Sequence, residues 1–189
     1  MDTEFQPIEK LSPDARYEGA WEETAARIEA RDGVLFGFVQ LAAALIGASL
    51  ADEKLEYVGV LVGYAAFIAA SLTAHHDVII GKLGSFQSKL SCHYGTREDQ
   101  ALEWFSKKNF TGVFWAKTLR DFAQLLVLSA SCIFGLVLSY NPHRVPQSLG
   151  THWIGVWWGS LVFAIFAVVI LLGVFGLRMW FWRNMGKQD

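Results

Sequence analysis

The stretch WIGVWWGSLVFAIFAVVILLGVFGL, residues 153–177, decides the fold because it runs for 25 residues without a charged side chain. A helix rises about 1.5 Å per residue, so this stretch covers about 37 Å against a hydrocarbon core of about 30 Å. In lipid the backbone must satisfy its own hydrogen bonds, and a run this long without alternation does so as a helix. The segment is therefore predicted to cross a membrane.

Three further charge-free runs precede it, of 17, 17 and 19 residues, at 34–50, 58–74 and 122–140. All 16 basic and all 18 acidic residues lie outside the four runs. A soluble core helix keeps a polar face, whereas these segments are apolar all round. The sequence predicts an all-α integral membrane protein whose four-helix membrane domain, 34–177, lies between an N-terminal segment, 1–33, and a tail, 178–189.

The basic residues are unevenly distributed between the segments outside the spans. The segment 1–33, the loop 75–121 and the tail hold 14 of them, and the two other loops hold one each, Lys54 and Arg144. The positive-inside rule therefore predicts a multi-pass protein of the cell membrane, in bacteria the inner membrane, with both termini and the loop 75–121 in the cytoplasm.

Seven tryptophans lie near the ends of the predicted spans. Indole rings prefer the headgroup level, where the ring is buried and its N–H stays hydrated. We therefore expect membrane-interface anchors at Trp104, Trp115, Trp153, Trp157, Trp158, Trp180 and Trp182.

A cytoplasmic amphipathic helix is predicted ahead of the first span. Ser12 is a favourable N-cap and Pro13 suits the first helical position. An apolar face follows at helical spacing: Tyr17, Trp21, Ala25 and Ile28. Two interpretations stay open, because such a face packs either on a cytoplasmic protein partner or on its own protein.

The second span is predicted to continue as a helix to about residue 86, into the cytoplasmic loop 75–121. This loop combines further helix formers with aromatic residues and lysines, a composition that favours contact with anionic lipid. No nucleic-acid-binding module is recognisable, and we expect no nucleic-acid partner.

His75, His76 and Asp77 begin this continuation, at headgroup depth by the helical rise. Adjacent side chains on a helix point about 100° apart, so these three are not expected to bind one metal ion. Haem would need histidines at matching depth on two spans, and no cofactor is expected. The cluster fits an interfacial anchor or a proton or ion group at the inner mouth of a pore.

The spans carry few polar groups. Gln40 and Gln124 are candidates for lining a pore or for hydrogen bonds between helices. Motifs of hydrolases, metalloproteases and phosphate-binding loops are missing, which indicates a protein that is not an enzyme.

Small residues four positions apart allow helix backbones to approach closely in lipid. The pattern occurs as Gly59-x-x-x-Gly63 in the second span and Gly155-x-x-x-Gly159 in the fourth. It fits both packing within one bundle and self-association, and we expect a homo-oligomer.

The sequence predicts a capped cytoplasmic helix ending in Tyr17-Glu18-Gly19-Ala20-Trp21, followed by a two-span hairpin. A helix then runs on from His75-His76-Asp77 to Ile80-Gly81-Lys82-Leu83. This order of parts resembles the small bacterial multi-span effectors of nucleotide-signalling defence systems, the group that includes SLATT and four-span effector domains. The resemblance implies oligomeric assemblies that perturb the inner membrane, without catalytic residues.

Two functions are therefore expected, and a third, a structural scaffold, stays open. The first is a non-enzymatic, oligomeric, pore-forming or membrane-perturbing effector that acts with a cytoplasmic partner. The second is a small transporter or ion-channel subunit that uses the His-His-Asp cluster.

Overall fold

The computed structural model describes residues 13–94, 107–140 and 152–185, and the regular structure in these residues is entirely helical. Four long helices follow one another: α1 Pro13–Ala51, α2 Leu61–Tyr94, α3 Lys107–Leu138 and α4 Trp153–Met185. Each contains a segment long and apolar enough to cross a membrane. The predicted all-α architecture with four spanning segments is confirmed at this level.

A short 3₁₀ helix, Glu53–Val60, connects α1 to α2. The Asp52 carboxylate caps it by accepting a hydrogen bond from the Lys54 backbone N–H at 2.9 Å. This cap satisfies a backbone donor at the start of the turn, where the chain reverses between the first two spans.

The helices α1 and α2 extend well beyond their apolar runs at the same end of the bundle. α1 begins at Pro13, as predicted, and continues without a break into the first span, while α2 reaches Tyr94 rather than about residue 86. We call the antiparallel pair formed by residues 13–33 and 75–94 the α1–α2 extension. The predicted cap Ser12 and the middle of the loop, 95–106, lie outside the described residues.

α2 is the central helix of the bundle. Half of its most apolar stretch is buried, compared with 17 to 22% for the other three helices. It packs most extensively against α1 and α4, and α3 contacts both α2 and α4. The side chains at its centre are small, with Val62, Ala66 and Ala70 fully buried.

Two close approaches involve glycines of α2 and the preceding turn. A Cβ added to Gly59 would lie 2.8 Å from the carbonyl oxygen of Gly135 on α3, and one on Gly135 would lie 2.6 Å from the Gly59 oxygen. A Cβ on Gly63 would collide with Ser160 on α4, including its backbone oxygen at 2.6 Å. Neither contact has room for a side chain.

The two glycines of the Gly155-x-x-x-Gly159 pattern lie in different environments. A Cβ on Gly159 would lie 2.6 Å from the Tyr64 hydroxyl, whereas Gly155 has nothing within 4 Å. Thus Gly59, Gly63 and Gly159 serve packing within one bundle, while Gly155 faces open space.

Hydrogen bonds to backbone oxygens reinforce these contacts between helices. The Ser160 hydroxyl donates to the Val60 oxygen at 2.6 Å, and the Tyr64 hydroxyl donates to the Val156 oxygen at 3.0 Å. Trp157 Nε1 donates to the oxygen of Leu136 at 3.2 Å. Each bond satisfies a polar side chain that would otherwise be costly in an apolar environment.

Large apolar side chains cover the outer surfaces of α3 and α4. They include Leu126, Ile133 and Val137 on α3, and Val162, Ile165, Val169 and Leu172 on α4. A continuous apolar exterior of this kind is unfavourable in water and suits the hydrocarbon core of a bilayer.

The two glycine environments give a matched test of packing. We expect Gly63→Ala to lower the free energy of unfolding by about 1–3 kcal/mol, because the new methyl group collides with Ser160. Gly155→Ala adds the same methyl group, at the same third position of its helix, into open space. Unfolding in mixed micelles measures both variants, and equal stabilities would contradict the close α2–α4 contact.

Candidate functional site

A buried ion pair joins α1 and α2 just beyond their apolar runs. Nη1 of Arg31 donates to Oδ1 of Asp77 at 3.1 Å, and only 4% and 7% of the two side chains are exposed. Nε and Nη2 of Arg31 also donate to Oδ1 of Asp32, at 3.0 and 2.8 Å. The guanidinium therefore lies between one buried carboxylate and one that is about half exposed.

Desolvation sets the energetics of this contact. Removing two charges from water costs several kcal/mol per ion, roughly, and their attraction offsets this cost only when geometry and additional hydrogen bonds are good. Three donor groups of Arg31 are used here, which fits the forked shape of the guanidinium. The pair favours one register of α1 against α2, because a shifted register leaves a buried charge without its partner.

A second polar contact lies further along the α1–α2 extension. Nε2 of Gln87, which is buried, donates to Oγ1 of Thr24 at 3.3 Å, and the Thr24 hydroxyl donates to the Ala20 oxygen at 2.7 Å. Gln87 is ten residues beyond Asp77, about 15 Å along α2. The extension is therefore joined at two levels by polar side chains.

The His75-His76-Asp77 cluster does not converge on one point. His75 is exposed, His76 is half-buried, and the Asp77 side chain turns to Arg31. The two imidazole rings lie 5.8 Å apart at an interplanar angle of 67°. Nδ1 of His76 and Oγ1 of Thr73, one turn earlier on α2, are buried and have no hydrogen-bond partner.

The structure separates the two candidate amides. Gln40 is exposed on α1, and Gln124 is half-buried on α3. Neither side chain hydrogen-bonds to any described residue.

The predicted tryptophan anchors fall into different environments. Trp153 is buried and meets Tyr57 edge-on at 6.3 Å between ring centroids, and Trp157 is half-buried. Trp158 and Trp180 are exposed. Trp115 and Trp182 lie on α3 and α4, within stretches whose side chains are not described, and Trp104 is outside the described residues.

Three of the four residues of the predicted apolar face of the N-terminal helix are exposed, and the fourth, Tyr17, is half-buried. Trp21 and Ile28 are 57% and 39% exposed, and Ala25 is exposed as well. The buried face of the extension instead carries Ala20 and Arg31. The described residues therefore do not show Trp21, Ala25 and Ile28, which we call the Trp21 face, packed against their own protein.

Sequence reasoning missed the buried role of Arg31, and it also missed Thr24, Gln87 and Gly135. One signal for the ion pair is present in the sequence. Arg31 lies three residues before the first 17-residue run, and Asp77 lies three residues after the second. The two runs are equal in length and antiparallel, so residues three positions outside them lie side by side in the hairpin.

Within the parts of the chain that the structure describes, no three His, Cys, Asp or Glu residues form a group that could hold a metal ion. The described residues form four helices, α2 and the three packed around it, that are long and apolar enough to cross a membrane, which is compatible with the class of multi-pass helical membrane proteins. No family model, curated protein or solved structure matches the chain.

The ion pair can be tested against an exposed one on the same helix. We expect Asp77→Ala to lower the free energy of unfolding by about 3 kcal/mol, because Arg31 stays buried with Asp32 as its remaining carboxylate. Glu23→Ala removes the half-exposed partner of Arg27, 2.6 Å away, and should cost about 0.3–0.5 kcal/mol.

The double variant Arg31→Met/Asp77→Leu distinguishes the loss of one partner of the ion pair from the replacement of the whole pair. It should recover most of the loss, because well-packed apolar side chains can replace a buried ion pair at little cost. Equal effects of Asp77→Ala and Glu23→Ala on unfolding in mixed micelles would contradict a buried pair that fixes register.

Proposed function

We propose that this protein is a non-enzymatic, oligomeric membrane effector that perturbs or permeabilises the bilayer when a cytoplasmic protein binds its α1–α2 extension. The observation that carries the proposal is the exposed Trp21, Ala25 and Ile28 face, located beyond the charge-free run of the first span. Clustered aromatic and aliphatic side chains at a water-exposed position are typical of protein interfaces.

The continuity of α1 supports a coupling between this face and the bilayer. A single helix of 39 residues carries both Trp21 and the first span, so a tilt imposed at one end is transmitted to the other. The Arg31–Asp77 and Thr24–Gln87 contacts oblige α2 to move with α1. Since α2 is the central helix, such a movement reaches α3 and α4.

The distribution of charge supports a cytoplasmic location of the extension. The three segments that precede the first run, connect the second to the third and follow the fourth, namely 1–33, 75–121 and 178–189, hold 14 of the 16 basic residues of the sequence. By the positive-inside rule, the extension then faces the side on which a cytoplasmic partner is available.

A transporter or channel subunit is the second candidate. The unpartnered Nδ1 of His76 is the observation that favours it, because an open imidazole nitrogen can exchange a proton. Burial and the nearby Arg27 lower the pKa of His76, so the neutral form is favoured at rest. Asp77 is already engaged by Arg31, which makes it less available to a transported ion. Unchanged proton or ion flux after Ala replacement of His75, His76 and Asp77 would remove this candidate.

The effector proposal is tested by controlled expression in bacteria together with the genes that neighbour its own, with a potential-sensitive dye as the readout. We expect loss of membrane potential and of viability. The double variant Trp21→Ala/Ile28→Ala should weaken the effect about tenfold or more, because truncated interface anchors bind poorly.

Phe86→Ala is the matched control, since it truncates an exposed aromatic side chain on the other helix of the extension. It should retain the effect, and all three proteins should insert in the membrane in equal amounts. Unchanged potential and viability with the unsubstituted chain would overturn the proposal, and a loss of effect in both variants would overturn the role of the Trp21 face.

A further inference from the structure

Three exposed carboxylates lie along one edge of the Trp21 face. We call these residues the acidic edge: Glu18, Glu22 and Glu29. At about 100° per residue, they lie about 60° to 100° from Trp21 around α1, all on the same side. Thr24 and Arg31, which contact α2, lie about 60° to 80° from Trp21 on the other side. The Trp21 face therefore has α2 along one edge and negative charge along the other.

The acidic edge has no counter-charge within the described part of the chain. None of its three glutamates forms an ion pair or a hydrogen bond with another described residue, whereas Arg27 is bound to Glu23, and Arg31 is bound to two aspartates. Arg16, the remaining base of residues 13–33, lies about 140° from Trp21 on the side of α2. Like charges four residues apart destabilise a helix, and this repulsion is left without compensation.

The shape of the Trp21 face fits a second helix. Trp21 and Ile28 are 57% and 39% exposed and lie seven residues apart, about 10 Å along α1, with the small Ala25 between them. A small residue between two large ones accommodates a large side chain of a helix packed alongside. The acidic edge spans eleven residues, about 17 Å along the same axis, so it faces the flank of a helix in this position.

We propose that the Trp21 face binds a basic amphipathic helix of a cytoplasmic protein. The apolar side chains of this helix pack over Ala25, and its lysine or arginine residues lie opposite the acidic edge. Apolar anchors in a groove supply affinity, and complementary charge supplies specificity and register. The inference rests on the proposed function and names the chemistry of its partner.

The same carboxylates disfavour two other occupants of the face. Anionic lipid at the cytoplasmic surface attracts basic segments, so an acidic edge is repelled from it. A second copy of this chain offers the face no unpaired base from its own α1–α2 contact, because Arg27 and Arg31 are already bound to carboxylates. A separate protein that brings its own bases meets both requirements.

The partner chemistry is tested with a displayed library of amphipathic helices whose residues beside the apolar positions are random. The target is the full-length protein in nanodiscs of zwitterionic lipid, and Trp21→Ala/Ile28→Ala protein in the same nanodiscs removes helices that bind elsewhere. We expect lysine and arginine to be enriched beside the apolar positions. Selected helices without this enrichment, or none that depend on the Trp21 face, overturn the proposal.

The acidic edge is tested with one enriched helix. It should bind Glu18→Gln/Glu22→Gln/Glu29→Gln protein about tenfold less tightly, because three exposed ion pairs each contribute a small factor. Glu23→Gln is the matched control, since Glu23 lies about 160° from Trp21 around α1, and this variant should bind normally. Equal affinity of the triple variant and the unsubstituted protein would exclude a role for the acidic edge and overturn the proposal.

Chemical labelling distinguishes the helix from other occupants. Ala25→Cys, in a chain whose own two cysteines are replaced by serine, should react quickly with a water-soluble maleimide and lose this reactivity when the enriched helix binds. Slow labelling without the helix means that lipid or a second copy covers the face, which overturns the proposal. These measurements need no effector activity. Binding as expected without loss of membrane potential in cells overturns only the effector function, whereas loss of potential without a preference for basic helices overturns only this inference.

Discussion

Close approach of helix backbones around α2 is the constraint on which the rest of the structure depends. Lipid tails are as apolar as leucine, so burial of apolar surface gives little reason for helices to associate within a bilayer. Contact between backbones supplies dispersion and short hydrogen bonds instead. Gly59 against Gly135 and Gly63 against Ser160 make this contact possible on two sides of α2. The Ser160 hydroxyl that fills the space beside Gly63 then bonds to Val60.

Much of the architecture could be predicted from the sequence, because the bilayer imposes requirements that a single helix must meet alone. One such requirement is a charge-free segment long enough to cross the hydrocarbon core. This requirement alone identifies the four apolar runs and their order along the chain. The continuous helix from the extension through the first span was harder to foresee, because a change from polar to apolar composition suggests two elements. A helix that leaves the bilayer needs no break, since its backbone bonds are satisfied in both environments.

The details of the site depend on pairs of residues, and these were not predictable one helix at a time. Arg31 has the sequence context of a hydrated charge in an amphipathic helix. Its burial is tolerable because two carboxylates accept its hydrogen bonds, that of the adjacent Asp32 and that of Asp77, 46 positions later. The same limit explains the apolar face of the extension, because Trp21 and Ile28 are exposed while Ala20 lies inward. What a neighbouring helix offers, small side chains or a counter-charge, decides which face is buried.

Polar residues and small residues have different roles along α1. Beyond the span, water competes for hydrogen bonds. The register of α1 against α2 therefore depends on the buried Arg31–Asp77 pair, because breaking this pair leaves an uncompensated charge. Within the span, backbone proximity is the available attraction. The proposed partner surface at Trp21 and the ion pair to α2 at Arg31 lie on the same continuous helix as the first span. This continuity is the physical basis for the proposed coupling between the extension and the bilayer.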